Sequence, residues 1–116
     1  MGVLAKRADD TAAAELAAHV VSYALGVAAN AIVDDARGCS QTAYARQLAM
    51  YLCHVVFELS LSRVASAFGR DRSTVAHACH AIEDRRDEDQ FDHWIASLEA
   101  MMRAAPAPTR PMRVQA

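Results

Sequence analysis

One apolar stripe constrains this chain more than any other feature. Ala45, Leu48, Ala49, Leu52, Val55, Val56 and Leu59 follow one another at steps of 3, 1, 3, 3, 1 and 3. That spacing returns side chains to one face of an α-helix and to no single face of a strand. It predicts a helix over 43–59 as the core element. A second stripe, Ala13, Leu16, Ala17, Val20 and Ala24, predicts a helix capped by Thr11 and weakened at Gly26. AANAIVDD reads as a short helix ahead of the loop DARGCSQT, marked by Gly38. Phe91, Trp94, Ile95, Leu98 and Met102 predict a last helix closing over the core. Apolar residues make up 53% of the chain but aromatics only 6%, there are four Gly, and the three Pro all follow residue 105. This supplies helix formers and withholds the turn residues that a many-hairpin fold needs. The expected fold is all-α, a bundle of about six helices.

A length of 116 residues points to one domain. Residues 1–10 are expected as a flexible arm and 11–103 as the helical domain. Residues 104–116 are expected as a disordered basic tail, since AAPAPTRPMRVQA has no periodicity. No apolar run approaches the ~20 residues of a membrane helix, and MGVLAKRADD has no signal-peptide core. A cytoplasmic, nucleoid-associated protein without a membrane partner is expected. Cys39, Cys53 and Cys79 are odd in number and form no CxxC, which favours reduced thiols. Cys53 and Cys79 fall on apolar stripes, and the adjacent His54 and His80 point about 100° away on a helix. Core packing is expected there, with no metal or other cofactor.

A net charge of −2 gives no support for an anionic partner, but its distribution does. Residues 1–36 hold two cations against five acids, and 83–99 hold Arg85 and Arg86 against seven. Between them Arg37, Arg46, Arg63, Arg70 and Arg72 face only Glu58 and Asp71. These five arginines are expected to gather into one electropositive surface. The acidic run EDRRDEDQFD is expected to be a solvated linker in preference to a partner surface or mutual counter-charge.

Within the basic segment, Ser60 reads as a cap for a helix carrying Leu61, Val64, Ala65 and Phe68, stopped by Gly69. After Arg70 and Asp71, Val75, Ala78, Cys79 and Ile82 form an apolar stripe opposed by Arg72, Ser73, Ala76, His77 and His80. Two helices joined by a glycine turn, the second polar in its first turn and apolar behind, have the layout of a helix-turn-helix over about 60–86. Asp71, Ser73 and His77 lie close together, but on an exposed helix they form no pocket, so no catalysis is expected.

ARQLAMYLCHVVFELSL and VASAFGRDRSTVAHACHAIE resemble the long helix and helix-turn-helix of the carboxy-terminal DNA-binding domain of DnaA, the bacterial chromosomal replication initiator. The resemblance is close over 45–83 and extends in helix order over 11–102. It implies a stand-alone domain of this kind, without that family's ATPase and oligomerisation domains. It also implies that Arg46 enters a minor groove, where A·T tracts deepen the negative potential. Asp71 would accept from a cytosine amino group. Ser73 and Thr74 would occupy paired hydroxyl positions, the first replacing the usual threonine, and Arg70 and His77 would touch phosphate or base edges. Arg72 stands where the family usually has histidine, and its guanidinium can pair bidentately with guanine. The turn FGRDR has one Gly where the family commonly has two, and DARGCSQTAYAR offers only Arg37 and Arg46 where the family carries several cations.

The expected function is sequence-directed binding of double-stranded DNA, as a monomer or homodimer, in regulation of transcription or replication initiation. Replication or transcription proteins are the further expected partners. The alternative is a non-catalytic interaction module that modulates the replication machinery without touching DNA.

Overall fold

The computed structural model describes residues 3–34 and 40–106. Arg37, Gly38, Cys39 and the tail arginines Arg110 and Arg113 therefore lie outside the described residues, as do most of the tail and the first five residues of the expected loop, whose last three, Ser40, Gln41 and Thr42, are helical. Six helices and no strand occur among the described residues: α1 Val3–Leu25, α2 Ala29–Asp34, α3 Ser40–Val56, α4 Leu61–Phe68, α5 Arg72–Arg85 and α6 Asp89–Ala104. The all-α fold is as expected.

The centre is α3. Leu48, Ala49, Met50, Tyr51, Leu52 and Cys53 are all buried in succession, more than one stripe requires. The other five helices pack around it, and a helix covered on every side is buried on every side. The Cys53 thiol sits in this interior and donates to the Ala13 carbonyl at 3.5 Å. Burial pushes it up to about 12, with Asp10 and Cys79 adding to the effect, so it remains a packed, neutral thiol. Against α3 lies α1, whose inner side is almost entirely small: Ala13, Ala14, Ala17, Ala18, Val20 and Val21 are buried. Small residues let two helix backbones approach closely, which is how an alanine-rich segment becomes a core element.

Four boundaries differ from expectation, the first being that α3 begins at Ser40, inside the expected loop. Helix α1 begins at Val3, so Thr11 lies exposed within it and does not cap it. Gly26, in the left-handed region at φ 72° with its N–H on the Ser22 carbonyl at 2.8 Å, ends α1 outright. Helix α3 ends at Val56, short of Leu59. Glu58 there adopts φ 56°, and the His54 Nδ1 lies 2.7 Å from the Leu59 carbonyl. Leu59 is still buried: its side chain keeps the stripe while its backbone has left the helix.

Candidate nucleic-acid interface

Helix α4 starts as the sequence predicts, with the Ser60 hydroxyl accepting from the Arg63 N–H at 3.2 Å. It ends at Gly69, φ 63° and ψ 38°. The Gly69 N–H reaches the Ser66 carbonyl at 3.3 Å and the Arg70 N–H reaches Ala65 at 2.9 Å, so a doubly bonded left-handed turn reverses the chain. A Cβ at Gly69 would meet nothing within 4 Å. Glycine is required there by backbone conformation alone.

Asp71, in extended backbone, opens α5, and its carboxylate makes no capping bond. Val75, Ala78 and Ile82 are buried and hold the helix to α3 and α4. The outward line is Ser73, His77, His80 and Asp84, at steps of 4, 3 and 4, all exposed. Arg72 and Thr74 flank it, also exposed. No hydrogen bond or ion pair engages the side chains of Asp71, Arg72, Ser73, Thr74 or His77 among the described residues. Arg70 is half-buried and curls back, its Nη1 donating to the carbonyls of Phe68 at 3.1 Å and Gly69 at 3.3 Å, which places a cation on the carbonyl end of α4. The turn thus brings Arg70, Asp71, Arg72, Ser73, Thr74 and His77 together.

Arg46 is not among them. It is 8% exposed, and its Nε and Nη2 donate to the carbonyls of Ile32 at 2.8 Å and Ala31 at 3.0 Å. Its guanidinium holds the end of α2 against α3, a different use from the groove insertion that the resemblance implies. Arg63 is also engaged: its guanidinium forms a two-pronged ion pair with Asp10 of α1, the Nε to Oδ2 arm measuring 3.0 Å. Of the four mid-chain arginines among the described residues, two are therefore engaged within the fold. Arg70 and Arg72 supply the cations beside the turn.

The acidic run is also more than a solvated linker. Arg86 donates through Nε to Asp92 at 2.6 Å and through Nη1 to Glu99 at 2.9 Å and to the Tyr51 hydroxyl at 2.9 Å. Tyr51 in turn donates to Glu83 at 2.8 Å. Burial pulls the Arg86 guanidinium down, but hydrogen bonds to Glu99, Tyr51 and Asp92 outweigh it and hold the group above its ordinary value. Tyr51 is pushed up to about 12, chiefly by burial. This network ties α3, α5 and α6 together and so fixes the angle at which α5 leaves the core. On sequence alone, counter-charge ranks second to a solvated linker and these partners are not named, although Asp92, Ile95, Glu99 and Met102 share one face at steps of 3, 4 and 3. Two acids on the buried side of a helix are a signal that a cation lies opposite.

A short helix, a left-handed glycine turn and a second helix with a polar, unpartnered first turn over a buried anchor define a helix-turn-helix. Residues 14–82, more than half the chain, match the family model for the bacterial dnaA protein helix-turn-helix, and the chain belongs to that family. It is 41% identical over 70 residues to the chromosomal replication initiator protein DnaA of Aquifex aeolicus, and 40% identical over 76 residues to that of Mycobacteroides abscessus. These matches cover 59% and 61% of this chain but only 17% and 15% of the two relatives. A crystal structure of a DNA replication initiation factor superposes with a TM-score of 0.74 at 31% identity, over 87% of this chain and 31% of that one.

Proposed function

We propose that the chain binds double-stranded DNA in a sequence-directed manner, with the first two turns of α5 in the major groove, and regulates transcription or replication initiation without catalysis. The observation that carries this reading is the polar, unpartnered first turn of α5 set on the buried Val75, Ala78 and Ile82, in a member of the dnaA helix-turn-helix family. A reading helix needs its base-facing side chains free and its back immobile. Asp71, Arg72, Ser73, Thr74 and His77 would meet base edges, and Arg70 the phosphates beside the turn. Arg46 would act behind them, as a brace for α2 in place of a groove contact.

The engagement of Arg46 and Arg63 within the fold favours the second reading, a protein-interaction module, because it leaves few cations for phosphate among the described residues. Titration of labelled duplexes, one bearing an initiator-type site and one random, at two salt concentrations separates the two. DNA binding predicts a specific complex at least about 10³-fold tighter than the random one, weakening as salt rises. Equal and feeble binding to both duplexes would sink the DNA reading. A genome-wide occupancy profile then identifies the sites and the process served.

A further inference from the structure

Arg85 and its neighbour Arg86 have different surroundings. The Arg85 guanidinium lies 4.0 Å from the centre of the Phe91 ring and 5.4 Å from that of Tyr44, and its Nη1 donates to the Tyr44 hydroxyl at 2.8 Å. It is exposed. It forms no ion pair among the described residues, although Asp84, Asp87, Glu88 and Asp89 lie within four residues of it. A cation resting on two rings has already lost much of its rotamer freedom, while its remaining N–H groups still face water.

Its position along α5 gives this arrangement a use. Arg85 lies eleven residues after Thr74, three helical turns, hence on the same side of the helix and about 16 Å further along. The major groove is about 12 Å wide. With the first turn of α5 seated in it, the end that carries Arg85 emerges over the flanking strand. We propose that Arg85 is a DNA-backbone contact, a guanidinium preorganised by Phe91 and Tyr44 to meet a phosphate at the far edge of the interface. The proposal rests on the DNA-binding reading of α5. Tyr44 belongs to the start of α3, two residues before Arg46, so the cation presented at that end of α3 comes from α5. Asp84, about 100° around the helix, opposes the approach and confines it to the Thr74 and Arg85 side.

Arg85→Met keeps an unbranched apolar stem over Phe91 and removes the charge. Fluorescence anisotropy over a salt series, with a duplex selected by the unmodified chain and a random duplex, should show binding to both weakened about fivefold to tenfold and a log–log salt slope shallower by about 0.9. Arg85→Lys should retain the slope, and Tyr44→Phe should retain it with an affinity loss of only about twofold. Arg85→Gln provides a second neutral variant, and thermal melting checks that each variant is folded. A folded neutral variant with the unmodified slope overturns the proposal, as does a loss confined to the selected duplex, which would mark a base contact. If the unmodified chain binds no duplex, the reading of α5 fails as well; if it binds and the neutral variants match it, only the Arg85 contact fails.

Discussion

At the start of α5, Arg72 is exposed and has no partner among the described residues, whereas fourteen residues later Arg86 is enclosed by Tyr51, Asp92 and Glu99. The two side chains are chemically identical and belong to the same pair of helix ends. The difference lies in what faces them. Beyond Gly69 the chain turns away and leaves the first turn bare, while beyond Arg86 it folds back as α6 and brings two carboxylates under the guanidinium. One end of the helix is thus bare while the other is fixed. A helix presented to an outside partner is useful only if its angle is set, and the enclosed end sets it.

Removing Arg86 should therefore have the largest effect on the molecule. Glu99 is 7% exposed, and Arg86→Ala would leave its carboxylate buried without its cation, a loss of about 3 to 5 kcal/mol. In urea melts the midpoint should fall far below that of the unmodified chain. Arg72→Ala, by contrast, should change the unfolding free energy by no more than about 0.5 kcal/mol. A midpoint for Arg86→Ala close to that of Arg72→Ala would show that the network is decorative and that the two ends do not differ as described.

Affinity should invert this order among folded variants. Arg72→Ala should weaken specific binding by about 1 to 3 kcal/mol if its guanidinium meets a base edge, with stability unchanged. Arg46→Ala supplies the control between the two ends. Its bonds to the Ile32 and Ala31 carbonyls imply a stability loss of about 1 to 3 kcal/mol and little change in the affinity of the fraction that stays folded. If that fraction instead loses a preference for A·T-rich flanks, Arg46 leaves α2 on binding and reaches a minor groove.

The helices were legible because periodicity is a local property. The stripes at Ala45 to Leu59, Val75 to Ile82 and Phe91 to Met102 each need only their own segment to be read, and so does the Ser60 cap. What was not legible depends on the path of the chain between segments. Arg46 and Ile32 are fourteen residues apart, and Arg63 and Asp10 fifty-three, so no local spacing reveals that these two cations are already engaged. Resemblance assigned Arg46 by its place in a motif, and a motif does not record whether a side chain points at a neighbouring helix or at solvent. The start of α1 was missed for a related reason. Residues 3–10 carry no apolar stripe, and the helix there continues into an Asp10 that is held by Arg63 from across the fold.

The turn between α4 and α5 can be perturbed without touching either end's side chains. Gly69→Ala meets no steric obstacle, so its cost is the left-handed backbone alone, about 1 to 2 kcal/mol. Chemical denaturation should record that loss, and the specificity ratio between cognate and random duplexes should shrink if the backbone relaxes and re-aims α5. A stability loss with an unchanged ratio would show that the buried anchor alone fixes the angle of α5.

The last expected difference, in pH dependence, belongs to the enclosed end and develops in alkali. Tyr51 has an ordinary pKa of 10.0 and is pushed up to about 12 in the fold, first by burial and then by the balance of Arg86 against Glu83. Between pH 10 and 12 the unfolded chain releases this proton while the folded chain keeps it, so stability must fall as pH rises. The contribution is fully present below pH 10 and gone above about 12. Cys53, raised from 9.0 to about 12, declines over an overlapping range that starts lower, which makes Tyr51→Phe the informative variant. Its urea midpoint should be lower than that of the unmodified chain near neutral pH, where the hydroxyl still bonds Glu83 and Arg86, and should decline less steeply above pH 10. Parallel declines in the two proteins would mean that Tyr51 ionises as freely as an exposed phenol, and that the enclosed end of α5 is open to water.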